Sequence, residues 1–227
     1  MVITDNYLIG HIPRTGGHTL TLLYKNLLLP EYQISATLDN IGDHDKHRPF
    51  SALSPSSNAH KEYVLTLRRL PSLIMSWMVM CAGRLTHDQP KVTRGGIWPD
   101  YQPMPVIPKA AVLDKSISLA GYHFAMLPDV LLRGFLPDQI SFAIRLEHFL
   151  DDLHQFLLTR EHLTVGKDIF RTKATHLLSS TPKQPLQYNK DVFRFFETHE
   201  VRRMYNNNPL WSNVERRFYG ALLSQAL

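Results

Sequence analysis

Apolar residues along the chain fall into short runs of strand length, separated by stretches with helical spacing. The runs Tyr7–Ile12, Glu62–Leu67 and Ile140–Leu146 are rich in apolar and β-branched side chains, which predicts three strands. Between the first two runs, His18–Leu29 carries leucines three and four residues apart and then meets Pro30. This pattern predicts a helix that stops at the proline.

Three more segments have helical patterns. A segment opened by Pro71 and closed by Gly83 is largely apolar, and proline in the first turn with glycine at the end is typical of a helix. Glu147–Glu161 has one apolar face, as expected for a helix that packs on a core. The stretch Asp191–Leu227 predicts one or two helices, with a break near the run NNNP that ends at Pro209.

Strands that alternate with helices predict an α/β fold, with a parallel sheet flanked by helices. No linker or shift in composition divides the chain, so we expect a single domain over residues 1–227. Arg84–Pro108 contains several prolines without a period, which predicts a long irregular loop. Loops of this length often form lids or binding segments.

Composition narrows the class of protein. Of 227 residues, 44% are hydrophobic and 20% are charged, which is typical of a globular protein and argues against a disordered one. The single cysteine, Cys81, excludes a disulfide framework and a cysteine-rich zinc module. No apolar run reaches the roughly 18 residues of a membrane span, and no signal-peptide pattern is visible. We therefore expect a soluble, cytoplasmic protein.

The charge balance is mildly basic, with a formal net charge of +5 at pH 7. A basic excess suits an anionic ligand such as a nucleotide, a nucleic acid or an acidic glycan. An ordinary basic surface would give the same value, so charge alone does not choose among these ligands.

The loop Pro13–Thr19 joins the first predicted strand to the first predicted helix. Backbone N–H groups and the positive end of a helix dipole at such a junction bind phosphate and similar tetrahedral anions. Two consecutive glycines let the backbone approach an anion, Arg14 adds charge, and Thr15 and Thr19 add hydroxyl donors. The alternative is a plain glycine turn between a strand and a helix.

Two common nucleotide-binding motifs are absent from this loop. A Walker loop requires GxxxxGK[ST], but no lysine follows the glycines, and the dinucleotide fingerprint GxGxxG is also missing. Without the Walker lysine and its Ser or Thr, the loop carries no magnesium ligand of its own. This argues against triphosphate hydrolysis.

Two segments resemble sulfotransferases that use 3′-phosphoadenosine-5′-phosphosulfate (PAPS). The sequence IPRTGGHTL resembles their 5′-phosphosulfate loop, whose usual form is I/V-P-K-T-G-G/S-T-S/T. The sequence LTLRRLPSLIMSWM resembles their 3′-phosphate segment, in which an Arg at a strand end and a Ser eight residues later bind that phosphate. Arg68 and Ser76 have this separation. The chain looks most like the carbohydrate and membrane-associated branches, with soluble bacterial relatives as the alternative.

This resemblance implies a P-loop-like fold and transfer of a sulfuryl group from PAPS to a hydroxyl of a carbohydrate or small molecule. The product would be adenosine 3′,5′-bisphosphate, and no metal, nucleic acid or membrane span would be involved. Arg68 and Ser76 would bind the 3′-phosphate. The residues implied at the 5′-phosphosulfate are Arg14, Thr15, Gly16, Gly17, His18 and Thr19.

The chain departs from the family's loop at two positions. Arg14 stands where lysine is usual, and in the family that lysine stabilises charge on the bridging oxygen as sulfate leaves. Arginine supplies the charge but gives up a proton less readily, although tyrosylprotein sulfotransferases also carry arginine here. Arg14 is therefore a catalytic candidate as well. His18 replaces the usual Thr or Ser, and its imidazole can still donate to an anion.

Sulfuryl transfer to an alcohol requires a base for the acceptor hydroxyl, and histidine suits neutral pH. The family's glycan branch has a histidine between the two phosphate motifs, and KHRPFSAL is the closest match here. We therefore expect His47 as the base, with His44 second and Glu62 as a fallback. The alternatives are solvated loop histidines or a metal pair, but H-x-x-H without further ligands is a weak metal motif.

Two other functions remain open from the sequence. A nucleotide kinase of the same fold would need the Walker lysine and the magnesium ligand that the loop lacks. A degenerate, non-catalytic module that binds a nucleotide or a glycan would be compatible with the changes at Arg14 and His18.

Overall fold

The computed structural model describes four stretches of the chain, which are residues 1–38, 47–76, 128–179 and 196–223. The chain divides into two compact units. The first unit comprises Met1–Leu67 with Gly134–Leu186, and the second comprises Arg68–Arg133 with Gln187–Leu227. The single domain expected over residues 1–227 stays a prediction.

The first unit is built on a five-stranded mixed sheet. Along the chain, its strands are β1 (Val2–Ile3), β2 (Tyr7–His11), β3 (Thr37–Leu38), β4 (Glu62–Leu67) and β5 (Ile140–Arg145). Their order across the sheet is β3-β1-β2-β4-β5. The strands β2, β4 and β5 run parallel, whereas β1 is antiparallel to both β2 and β3. The predicted α/β class and the three predicted strands are confirmed.

The described helices are distributed over both units. Along the chain they are α1 (Gly17–Leu23), α2 (Leu29–Tyr32), α3 (Pro55–Asn58), α4 (Pro128–Arg133), α5 (Phe149–Arg160), α6 (Lys167–Ser179), α7 (Thr198–Asn207) and α8 (Pro209–Tyr219). Residues 70–76 are also helical. Helices α4, α7 and α8 and residues 70–76 belong to the second unit.

The prediction of a wholly parallel sheet is wrong at one edge. A tight turn joins β1 to β2, in which Tyr7 N donates to Thr4 Oγ1 and Thr4 N donates to the Tyr7 carbonyl, both at 3.0 Å. A connection this short reverses the chain, so the two strands pair antiparallel. Strands β1 and β3 have only two residues each, which is too short to give a periodic pattern in the sequence.

The central strands are buried on both faces. On one face, Tyr7 of β2 and Val64 of β4 belong to the apolar core of this unit. On the other face, Gly10 lies so close to Phe50 and Phe135 that a Cβ on it would be 2.7 Å from the Phe50 ring. Strands covered on both sides carry continuous apolar runs, which is why these strands could be predicted.

The helical stretch after β2 continues further than expected. Between α1 and α2 lies a π-helical turn, Tyr24–Leu28, and the stretch ends at Tyr32 rather than at Pro30. Proline lacks an N–H group and clashes with the preceding turn of a regular α-helix. The wider π turn comes directly before the first turn of α2, where a proline is tolerated.

Helices α5 and α6 complete the core of the first unit, in which Phe156 and Phe170 are buried. The helix predicted over Glu147–Glu161 is confirmed as α5, preceded by the 3₁₀ turn Leu146–His148. Helix α6 was not predicted, because it buries only Phe170 and Ala174 and its apolar pattern is correspondingly weak.

The break predicted near the NNNP run is confirmed, since α7 ends at Asn207 and α8 begins at Pro209. Asp129 of α4 caps the new helix. Its carboxylate accepts hydrogen bonds from Leu210 N at 2.9 Å and from Trp211 N at 2.7 Å. These are first-turn N–H groups of α8, which have no partner within the helix itself.

Some predictions lie outside the described residues, namely the end of the helix opened by Pro71, the loop Arg84–Pro108 and the candidate base His44. Within the four described stretches, no helix has both the length and the apolar character that crossing a bilayer demands. The same stretches contain no group of three or more His, Cys, Asp or Glu side chains arranged to hold a metal ion.

Candidate functional site

The loop between β2 and α1 has a constrained backbone. Arg14 has a φ of 74° and Gly16 a φ of 101°, so both lie in the left-handed region. Glycine adopts this region at little cost, whereas another residue does so at a cost of about 1–2 kcal/mol. Turns with left-handed residues direct successive N–H groups toward one side and form concave anion sites. The loop therefore contains two residues in the conformation from which such sites are built.

The two glycines of the loop are required for different reasons. A Cβ on Gly17 would lie 2.0 Å from Cδ2 of His11, so the imidazole occupies the place of a side chain. A Cβ on Gly16 would lie 2.9 Å from Cδ1 of Leu146, and the φ of Gly16 also disfavours any other residue. The loop consequently presents backbone, not side chains, at these two positions.

Thr15 is fully buried, and its hydroxyl is used inside the protein. Oγ1 donates to the Ile12 carbonyl at 2.7 Å, so the 2.6 Å contact with Thr66 Oγ1 has Thr66 as its donor. Because Thr66 belongs to β4, this pair ties the loop to the neighbouring strand. Thr15 therefore holds the shape of the loop, and its hydroxyl proton is engaged by the Ile12 carbonyl, while its binding of an anion stays a prediction.

The remaining loop residues surround the start of α1. His18 is exposed, while Arg14 and Thr19 are half-buried. The first N–H groups of a helix have no partner within it, so they are available to a ligand. The guanidinium of Arg14, the imidazole of His18 and the hydroxyl of Thr19 stay predicted contacts of an anion at this helix start.

Two histidine rings meet beside the loop. His11, the last residue of β2, is 5% exposed and packs against Gly17. The ring of His47 meets it edge to face, with the centroids 4.7 Å apart, and His47 Nδ1 lies 3.4 Å from the His11 carbonyl oxygen. The structure thus brings His47 close to the glycine loop within the first unit. His11 was not predicted as a site residue, although a polar residue that ends an apolar strand is a usable signal.

Arg68 and Ser76 lie in the second unit and are both buried, at 3% and 0% exposed. Arg68 follows the last residue of β4 in the chain, and Ser76 lies in the helical residues 70–76. The order of strand, arginine and helical serine implied by the resemblance is therefore present. Their binding of one phosphate, and of the same nucleotide as the loop, stays a prediction.

A buried carboxylate, Glu215 of α8, contacts the residues that follow Arg68. It accepts hydrogen bonds from Arg69 Nη1 at 3.0 Å, from Leu70 N at 2.9 Å and from Tyr205 OH at 2.7 Å. Glu215 is 0% exposed. Glu215 was not predicted as a site residue. A usable signal is its place one turn after Trp211, because this spacing puts a carboxylate on an apolar helix face.

The environment of Glu215 changes its acidity. Burial raises its pKa from about 4.5 to about 7, because an apolar surrounding disfavours the charged form. The hydrogen bonds from Leu70 N and Tyr205, together with the charge of Arg69, oppose this shift without cancelling it. We therefore expect the Glu215 side chain to change between its neutral and charged forms near neutral pH.

Comparisons with protein-family models, with curated proteins and with solved structures gave no match for this chain. A functional interpretation consequently rests on the residues described above.

Proposed function

We propose that this protein is a PAPS-dependent sulfotransferase with a P-loop-like fold, which transfers a sulfuryl group to a hydroxyl of a carbohydrate or small molecule. The loop between β2 and α1 carries this proposal, because it combines two left-handed residues with glycines at which no side chain fits. A tetrahedral phosphosulfate requires close approach to backbone N–H groups at a helix start, and such a loop permits it.

In the proposed reaction, the acceptor oxygen attacks sulfur in line with the bond to the bridging oxygen. The new S–O bond forms as the old one breaks, and the electron pair leaves with adenosine 3′,5′-bisphosphate. As in phosphoryl transfer, positioning and charge stabilisation lower the barrier. The loop N–H groups would stabilise the peripheral oxygens, and Arg14 would stabilise charge on the bridging oxygen.

His47 is the proposed general base. A carbonyl oxygen only accepts hydrogen bonds, so the contact of His47 with the His11 carbonyl requires the proton on Nδ1. In that tautomer Nε2 carries the lone pair, and a general base takes a proton through this atom. His44, the second candidate, lies outside the described residues.

Calorimetric titration with adenosine 3′,5′-bisphosphate tests the proposal. The wild-type protein is expected to bind this product more tightly than 5′-AMP, because Arg68 and Ser76 would contact the additional 3′-phosphate. Arg68→Ala should weaken bisphosphate binding by about tenfold or more, the value of a charge-assisted contact, and leave 5′-AMP binding nearly unchanged. Arg68→Lys, which keeps the charge in this buried position, provides a variant with a smaller risk of misfolding.

Arg171→Ala is the matched control, since this arginine side chain is 61% exposed and lies on α6. It should change the binding of neither ligand. Equal loss of both ligands in Arg68→Ala would contradict the proposal, and so would a wild-type protein that binds ATP–magnesium better than the bisphosphate. Tight bisphosphate binding without transfer of sulfate to any acceptor would instead identify a non-catalytic binding module.

A further inference from the structure

The turn that carries Arg68 is attached to α8 at two points. Trp211 Nε1 donates to the Arg68 carbonyl at 3.3 Å, and one turn later Glu215 accepts from the next two residues. The two oxygens of the carboxylate have separate partners, since Oε1 takes Arg69 and Oε2 takes Leu70 N. Two contacts through different atoms fix both the position and the direction of this turn.

Arg69 is fully engaged in this arrangement. Besides its ion pair with Glu215, its Nη1 donates to the Ala221 carbonyl at 2.8 Å, and its guanidinium lies 4.5 Å from the centroid of the Tyr219 ring. These contacts hold Arg69 within the fold.

Leu70 is the first residue of the helical stretch 70–76 that contains Ser76. A carboxylate that accepts from an N–H group at a helix start fixes that end of the helix. Glu215 thus anchors both the turn that bears Arg68 and the start of the helix that bears Ser76.

We infer that Glu215 is a positioning residue for the 3′-phosphate site, which sets the geometry of Arg68 and Ser76 through Arg69 and Leu70. This inference rests on the proposed function through the role of those two residues. Burial of a carboxylate is costly, and an apolar residue of similar volume often stabilises a protein equally well. A buried ion pair at this point is consistent with a role in specificity rather than in stability alone.

Glu215→Gln tests the inference, with Tyr205→Phe as the matched control. The glutamine can still accept from Leu70 N, but its NH₂ group cannot hold the Arg69 guanidinium, so the turn is released on one side. Tyr205→Phe removes a hydrogen bond to the same carboxylate and leaves the contacts of Arg69 and Leu70 in place. Both variants are expected to unfold at lower temperature than the wild type.

The readout is the ratio of the dissociation constants for 5′-AMP and adenosine 3′,5′-bisphosphate. It is measured calorimetrically at about pH 8, where Glu215 is ionised, and below both unfolding temperatures. Glu215→Gln should reduce this ratio by about tenfold, the value of one charge-assisted contact, whereas Tyr205→Phe should leave it unchanged. An unchanged ratio in Glu215→Gln, or an equal loss in both variants, would overturn the inference.

If Glu215→Gln does not fold, Arg69→Gln is the second variant. It removes the same ion pair at its half-buried partner, where a substitution should disturb folding less. Arg69→Gln should then give the same reduction of the ratio, and an unaltered ratio would count against a positioning role. A wild-type protein without preference for the bisphosphate would refute the proposed function itself. A preference that survives these substitutions would refute only the positioning role of Glu215.

Discussion

At the scale of single residues, the His11 imidazole and the Gly17 backbone share one small space at the start of α1. The ring fills the volume in which a side chain at position 17 would stand. The carbonyl of the same histidine contacts His47, so the packing beneath the loop and the orientation of the proposed base depend on one residue. A side chain added at position 17 should therefore displace the His11 ring and disturb the start of α1.

Gly17→Ala is expected to destabilise the protein by about 1–3 kcal/mol, because a methyl group would overlap the His11 ring and force it to move. The free energy of unfolding measured in urea checks this value. Gly166→Ala serves as the control, since no atom lies within 4 Å of the new methyl and its φ is not left-handed. Its effect should stay within about 0.5 kcal/mol. Similar losses in both variants would argue against the contact.

The sequence indicated the loop itself but not the contacts that shape it. Glycines between a strand and a helix are a local signal, and they predicted the turn correctly. The buried pair of Thr15 and Thr66 joins positions 51 residues apart, and the ring contact of His11 and His47 joins positions 36 apart. Such pairings follow from the register of the strands, which one sequence does not reveal.

At the scale of elements, capping of α8 by Asp129 links two helices of the second unit. Asp129→Ala should lower the free energy of unfolding by about 1–2 kcal/mol, because it leaves two first-turn N–H groups without their acceptor. Chemical denaturation measures the loss, and faster hydrogen exchange at Leu210 and Trp211 would locate it. Asp138→Ala, at an exposed aspartate, should have almost no effect. If the Trp211 N–H group exchanges as slowly in Asp129→Ala as in the wild type, Asp129 does not cap this helix.

Elements were predictable where one local pattern decides the structure. The strand Glu62–Leu67 begins and ends at the residues predicted from its apolar run. The run is continuous because the strand is covered on both faces. The predicted helix end at Pro30 is wrong, because a π turn comes before the proline and the helical stretch continues to Tyr32. The caps and the edge strands depend on partners that are remote in sequence, such as Asp129 and Leu210, which are 81 residues apart.

At the scale of the whole molecule, stability depends on pH through many groups at once. The chain has twelve histidines and a net charge of +5, so acidification increases its positive charge and the repulsion within it. This background would hide the contribution of a single carboxylate. The difference in unfolding free energy between the wild type and Glu215→Gln removes most of it, because both proteins carry the same histidines.

The unfolding free energy of the wild type, minus that of Glu215→Gln, should decrease as the pH rises. The pKa of Glu215 is about 7 in the folded protein and about 4.5 in the unfolded chain. Between these pH values the folded state therefore retains a proton that the unfolded state has lost. The stabilising contribution is therefore complete below about pH 4.5 and is lost as the pH passes about 7. The change amounts to about 3 kcal/mol, and urea unfolding at several pH values between about 5 and 8 measures it. Asp138→Asn, at an exposed side chain, should give a difference that does not vary in this way. A difference between wild type and Glu215→Gln that is constant or increases with pH would mean that Glu215 is ionised well below neutrality.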